Sequence, residues 1–276
     1  MTPEQLLIAA VSTPLAVLLF NYLLSFHSNL RDTTTVVLAC ILFGINIRLA
    51  TMVFSGQQIG WEGVEVMPGF RIAFSIEPLG MLFALVASGL WILTTVYAVG
   101  YMRSNHEDNQ TRFFGCFALA IFAATVAAFS KNLFTLFVAY ELMTVSTYPL
   151  VTHHGTDEAR RGGRVYLGIL FATSIGFLLL ALVWTHRLAG TLDFKLGGIL
   201  ADAHSAGRVS NIQLGLLLGL YAFGIGKAAL MPIHRWLPAA MVAPTPVSAL
   251  LHAVAVVKVG VFFVMKVAVF VFGIEL

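Results

Sequence analysis

The sequence predicts an all-α integral membrane protein of about eight transmembrane helices, with the seventh broken and one short β-hairpin outside the membrane. Two observations carry this. The 276 residues are 59% hydrophobic and 11% charged, with a mean hydropathy of +0.89, whereas a soluble domain carries about 25% charged residues. Long apolar runs also recur along the chain, each able to cross about 30 Å of hydrocarbon.

Taken in order, the spans fall at 5–25, 33–54, 79–102, 113–130, 133–152, 165–187, 212–242 and 246–272. The first residues, MTPEQ, hold no Lys or Arg, so the first run reads as a permanent span rather than a cleaved leader. The link 55–78 contains WEGVEVMPGFRIAFSIEP. Apolar positions alternate on both sides of Pro68-Gly69, the pattern of a hairpin. The seventh run is too long for one crossing and contains Pro232 and Pro238; proline removes a backbone donor and clashes with the carbonyl four residues earlier, so the helix should break there. The link 188–211, with TLDFKLGGILADA, suggests a short helix lying on the membrane surface.

An outside N-terminus puts Arg31, Arg103, Arg112, Arg160, Arg161, Arg164 and Arg235 in cytoplasmic loops, with EARRGGR in a short loop as the strongest element. The opposite loops hold Arg71, Lys131, Arg187, Lys195 and Arg208, and Arg48 lies near that side. This excess favours N-terminus out. Cys40 and Cys116 lie in separate apolar runs and read as small buried hydrophobes. No GxGxxG, phosphate loop, Ser/His/Asp signature or metal-ligand spacing is present, so no enzyme, cofactor or metal is expected, and the scattered charge of +3 offers nothing to nucleic acid.

The informative residues are ionisable ones at mid-bilayer depth. Glu141 lies near the middle of the fifth span in AYELMTVSTYPLV, Lys227 near the middle of the seventh, and Lys258 near the middle of the eighth. Each costs at least about 2.5–3.5 kcal/mol in hydrocarbon, so they should face one another or water. His252 adds a fourth group, about 9 Å before Lys258 along its helix. Thr144 and Tyr148 share the face of Glu141, Gly224 and Gly226 permit close backbone approach, and Pro232 should free the carbonyl of Ala228. Broken backbone at this depth is tolerated only inside protein or beside a hydrated cavity. Singly, Glu141 could be a static interhelical contact, Lys227 its structural counterion, and His252 a satisfied core histidine. Lys266, about 12 Å beyond Lys258, should snorkel to the headgroups, and His153, His154 and His234 should be solvated near the interfaces, the adjacent His153-His154 being a weak signal for a metal. Together, a second lysine and a broken helix at one depth exceed what a structural pair needs.

The runs AYELMTVSTYPLV, GKAALMPIHRWLPAAMVAPTPVSALLHA and VVKVG resemble the proton-translocating antiporter subunit family, which includes Mrp cation/proton antiporter subunits and the antiporter-like subunits of complex I and related hydrogenases. Their wording is most similar to the D-type Mrp subunit. The resemblance implies proton translocation by Glu141, Lys227 and Lys258, with His252 implicated in transfer. It implies an N-terminal three-helix segment, 1–112, and a five-helix translocating unit, 113–276. It also implies a second, inverted five-helix unit that has no counterpart in these residues, so either the rest of a longer polypeptide or a partner membrane subunit is expected to supply it. The expected setting is a bacterial inner membrane, within a multi-subunit complex moving protons and exchanging sodium or another cation. The rival readings are a membrane-arm subunit of a redox complex and a scaffold that moves nothing.

Overall fold

The computed structural model describes residues 1–273; the end of the expected unit, 274–276, lies outside the described residues. Among the described residues seven helices are long and apolar enough to cross a membrane: α1 (Pro3–Leu23), α2 (Ser28–Phe54), α3 (Pro78–Ser104), α4 (Gln110–Ala128), α5 (Leu133–Val151), α6 (Asp157–Ala189) and, after a shorter apolar helix α7 (Asn211–Gly224), α8 (Thr245–Phe272). Strands β1 (Ile59–Met67) and β2 (Phe70–Ile76) form the antiparallel hairpin between α2 and α3. The chain is a multi-pass membrane protein.

Large apolar side chains such as Leu15, Leu19, Ile41, Leu93, Ile175 and Leu180 are exposed. In water that surface would be untenable; in lipid it is the expected outer face. Cys40 belongs to this surface rather than to the core, a correction to its expected burial: residue type was right for an apolar site, but α2 turns it outward. Helix α4 is the most enclosed of the long helices. Its small residues Ala118, Ala120, Ala123, Ala124, Ala127 and Ala128 are all buried and admit α1, α3 and α5 around it.

Local signals explain most boundaries. Thr2 caps α1 with a capping box, and Pro3 occupies its first turn. Asn132 accepts from the Thr135 amide to start α5. Thr156 likewise accepts from the Ala159 amide, which starts α6 at Asp157 and makes EARRGGR the first turns of a helix. The expectation of a loop there fails because a threonine cap followed by Asp157 and Glu158 suits a helix N-terminus.

The connections fall at two ends. At the end carrying 24–27, 105–109 and 152–156, Arg31 bonds Asp32, Gln110 and Thr111, and Arg103 reaches Asp32 at 2.5 Å. This network, two of whose members are buried, ties α2, α3 and α4. At the other end β2 is extended by the α4–α5 turn: the Ser75 amide donates to the Phe129 carbonyl at 2.8 Å and the Lys131 amide to the Ala73 carbonyl at 3.0 Å. Glu62 receives Lys131 at 2.6 Å and Arg71 at 2.7 Å, and the Lys131 ammonium holds its carboxyl below the usual carboxylate range. The link 188–211 contains only one short helical turn, Ala201–Ser205. Its remainder is irregular because it closes over α8, with Ile199 and Leu200 donating to Phe270 and Val271 carbonyls.

Orientation is testable on Glu158, an exposed residue in the first turn of α6. With Cys40 and Cys116 replaced, Glu158→Cys should react with an impermeant thiol reagent in inverted vesicles and not in intact cells. Labelling in intact cells would reverse the orientation.

Candidate functional site: a lysine in a broken helix

α7 ends at Gly224, earlier than the prolines suggest. Lys227 sits in a single 3-10 turn, Gly226–Ala228, and helical structure resumes with a second 3-10 turn, Ile233–Arg235, that leads into one α-turn, Trp236–Ala239. The break is therefore on the N-terminal side of the lysine, at Ile225, and Pro232 lies downstream of it rather than creating it. The two flanking glycines explain this. A Cβ on Gly224 would meet the Leu178 amide nitrogen at 2.6 Å, and one on Gly226 would collide with the Thr173 hydroxyl. Both neighbours belong to the middle of α6, where a π-turn spans Ser174–Leu178. An irregular segment of one helix thus seats the break of another.

Lys227 is completely buried. Its Nζ donates to the Tyr140 carbonyl at 2.7 Å and to the Thr144 hydroxyl at 2.6 Å, and lies 3.2 Å from the centre of the Tyr140 ring. Its own backbone N–H donates to the Tyr140 hydroxyl at 2.9 Å. The Gly226 carbonyl accepts from the Ala229 amide at 3.0 Å and also from the Trp236 indole at 2.8 Å, so a side chain adds a second bond that fixes the broken segment. A buried ammonium with two acceptors and an aromatic face is held, not stranded.

Glu141 is the next residue after Tyr140 on α5. Its two carboxyl oxygens are buried, and neither has a hydrogen-bond or ion-pair partner among the described residues. The lysine docks on the 140/144 face, four residues apart, and Glu141 is turned about 100° away from it. The structure thus places Glu141 beside the lysine's site without a direct contact. A buried, unpaired carboxyl is costly and calls for an explanation.

Lys258 and His252 lie on α8, which meets the lysine segment through Gly260. Lys258 faces the other way: it is exposed and lines a cleft of about 220 Å³ with Leu79, Leu82, Phe83 and Val86 of α3. His252 occupies a π-turn, Leu250–Val254, half-buried, with Nε2 unpartnered. No hydrogen bond or ion pair joins Glu141, Lys227, His252 and Lys258 among the described residues.

Lys266 corrects an expectation. Its side chain is 0% exposed, forms an ion pair with Glu77 at 2.5 Å, and is flanked by the Phe194, Phe262 and Phe270 rings. It reaches no headgroup because the 194–200 segment covers that end of α8. Tyr140 and Trp236 are site residues that sequence reasoning missed; the four-residue spacing of Tyr140 and Thr144 was the available signal. Among the described residues no set of three His, Cys, Asp or Glu side chains could hold a metal ion.

A bundle of membrane helices with a charged group in an interrupted helix is an arrangement that many secondary transporters use. Comparison narrows it: this chain belongs to the NADH:quinone oxidoreductase/Mrp antiporter membrane family, which matches residues 130–275, and the N-terminal domain of NADH-ubiquinone oxidoreductase (complex I) chain 5 matches residues 68–114. NADH-quinone oxidoreductase subunit L of Escherichia coli (strain K12) is 32% identical over 201 residues, 71% of this chain and 32% of that protein. The probable K(+)/H(+) antiporter A/B subunit of Rhizobium meliloti (strain 1021) is 30% identical over 234 residues, 83% of this chain and 22% of that protein. The chain therefore spans about a third or less of the length of these relatives. In fold it resembles a chain of the Mrp complex from Dietzia sp. DQ12-45-1b, with a TM-score of 0.78 and 24% identity over 96% of this chain and 28% of that one.

Proposed function

We propose that this chain is an ion-translocating membrane subunit that moves protons within a Mrp-type cation/proton antiporter complex of a bacterial inner membrane. Its residues 1–112 would form the supporting segment and 113–276 the translocating unit. It is not itself an enzyme. The observation that carries this reading is the fully buried Lys227 ammonium in the α7 break, held by one carbonyl and one hydroxyl next to an unpaired Glu141. A static counterion pair would show the two charges in contact. Here the acid is left free, as a second position for the ammonium would be.

In this reading Lys227 alternates between Tyr140–Thr144 and Glu141. Approach of the acid favours the charged lysine, and its loss favours proton release, because a lone buried ammonium is penalised by desolvation. Breaking a buried pair costs about 3–5 kcal/mol, and one charge crossing 100 mV is worth about 2.3 kcal/mol, so a membrane potential can bias the switch. Lys258 and His252 then carry the proton sideways. The exposed Lys258 is too costly to leave in lipid, and a neighbouring membrane subunit or further chain that supplies the second five-helix unit covers it. Protons and sodium are the proposed ions. The likeness to subunit L of the E. coli oxidoreductase favours, as the second reading, the membrane arm of a redox complex with the same proton chemistry.

The test is a double-mutant cycle on proton flux in inverted vesicles, with the chain's abundance measured alongside. Glu141→Gln should lower flux by about tenfold or more at normal abundance, and adding Lys227→Met should cost little further. A scaffold that moves nothing predicts flux that simply follows abundance. Additive losses would count against a coupled pair.

A further inference from the structure

Two histidines and a glutamate converge at the end of the bundle that carries the arginine-rich turns. His154 Nε2 lies 3.3 Å from one oxygen of Glu107, and His153 Nε2 lies 3.7 Å from the other. The three groups differ in exposure. The His154 side chain is 36% exposed, that of Glu107 17% and that of His153 2%. They make a graded series from solvent to interior, and the innermost ring has an unpartnered Nδ1.

His153 lies two residues past the end of α5, the helix that holds Lys227. Going back from His153, hydroxyl-bearing side chains stand at Thr152, just past α5, and at Tyr148, Thr147 and Thr144 on it, among apolar residues. Thr147 shares a 2.6 Å bond with the Tyr166 hydroxyl, and Thr144 holds the Lys227 ammonium. The rise from His153 to Thr144 is about 13 Å; the hydroxyls spaced along it can both donate and accept, with water needed between them. The threonine hydroxyls donate to carbonyls one turn back, Thr152 to Tyr148 and Thr147 to Met143, so each keeps lone pairs free for water or a neighbour.

We propose that His154, Glu107 and His153 form the proton-exchange site at the cytoplasmic mouth of this unit, passing protons to Lys227 along the hydroxyl stripe of α5. The proposal rests on the transport reading above and adds to it the residues that meet the bulk phase. A hydronium ion outside gives its proton to His154 or Glu107, His153 accepts it on one ring nitrogen and releases one from the other, and hydroxyls and intervening water pass a proton inward to Lys227, which accepts it as the neutral amine after releasing its own.

The groups that reach His153 are Glu107 and Asp108 from the α3–α4 turn, Arg112 from α4, and His154 beside it. Arg112 also donates to the His153 carbonyl at 3.4 Å, and the Phe113 ring stands edge-on to the imidazole. Burial, joined by the Arg112 charge, pushes His153 below the ordinary imidazole range against the pull of Glu107. A neutral imidazole at cytoplasmic pH has a free acceptor nitrogen and passes protons without trapping them.

The test uses inverted vesicles from cells carrying the full chain, with proton uptake from the external medium driven by an alkaline lumen. The His153→Gln/His154→Gln pair, and separately Glu107→Gln, should slow uptake about tenfold near pH 8, where protons are scarce, and little near pH 6. Millimolar imidazole, a mobile proton carrier, should restore the rate near pH 8. Unchanged uptake near pH 8, or a loss equal at both pH values that follows abundance and resists imidazole, would overturn the proposal. Lys227→Met is the control that separates the two readings. Uptake that survives Lys227→Met would defeat the transport reading and this inference together, whereas uptake lost in Lys227→Met but normal in the histidine pair defeats this inference alone.

Discussion

Glu77→Ala should destabilise the membrane-embedded chain by about 3–5 kcal/mol, because it leaves the Lys266 ammonium buried without its partner. Lys266 is fully buried among the Phe194, Phe262 and Phe270 rings. The reverse change should be milder. Glu77 keeps 22% of its side chain exposed and lines a cleft of about 750 Å³ beside the hairpin, so after Lys266→Met it can be rehydrated at a cost of about 1 kcal/mol. Joining Glu77→Ala to Lys266→Met should recover most of the loss, since removing both charges removes the stranded one. Thermal unfolding of the detergent-extracted chain, followed by retention in solution, measures the order. Equal losses for the two single changes would mean that the pair is not buried as described.

The second large effect belongs to Gly260. A Cβ there would meet the Lys227 carbonyl carbon at 2.5 Å and collide with the Ala228 amide nitrogen. Backbone offers no flexible end to move aside, so Gly260→Val must push α8 away from the break or displace the lysine from Tyr140 and Thr144. Overpacking of this kind costs about 1–3 kcal/mol and sometimes more. Proton flux should fall further than abundance, because a small shift of Nζ breaks bonds of 2.6 and 2.7 Å. Gly219→Ala on α7, where an added Cβ meets nothing within 4 Å, should be neutral or stabilising by up to about 1 kcal/mol. If Gly260→Val were as harmless as Gly219→Ala, the lysine segment would not be clamped by α8.

Much of the fold was legible because lipid makes composition speak directly. Apolar runs had to be helices, and alternating residues around Pro68-Gly69 had to lie elsewhere. The position of the break was less legible. Pro232 and Pro238 advertise irregularity, yet the helix ends at Gly224 because two glycines let the chain dock on the α6 π-turn, a partner that no local signal names. Lys266 was misread for a similar reason. Its depth suggested the headgroups, but depth says nothing about the 194–200 segment folded over it or about Glu77, distant in sequence. Which face of a helix meets its neighbour is a tertiary matter. Hence Lys258 was expected beside the others and stands on the outward face of α8, and Tyr140 passed as one more apolar residue. Motif wording located the family, and both relatives described above fall within it, although neither is a D-type subunit by name.

The most direct measurement compares Lys227→Arg with Lys227→Met for abundance in the membrane and proton flux in inverted vesicles. Arginine keeps the positive charge and its hydrogen bonds but does not release a proton at any accessible pH. If Lys227 carries protons, Lys227→Arg should accumulate to near-normal levels and conduct no more than Lys227→Met. Flux retained by Lys227→Arg, in proportion to its abundance, would show that the charge is structural and contradict the role given to the lysine.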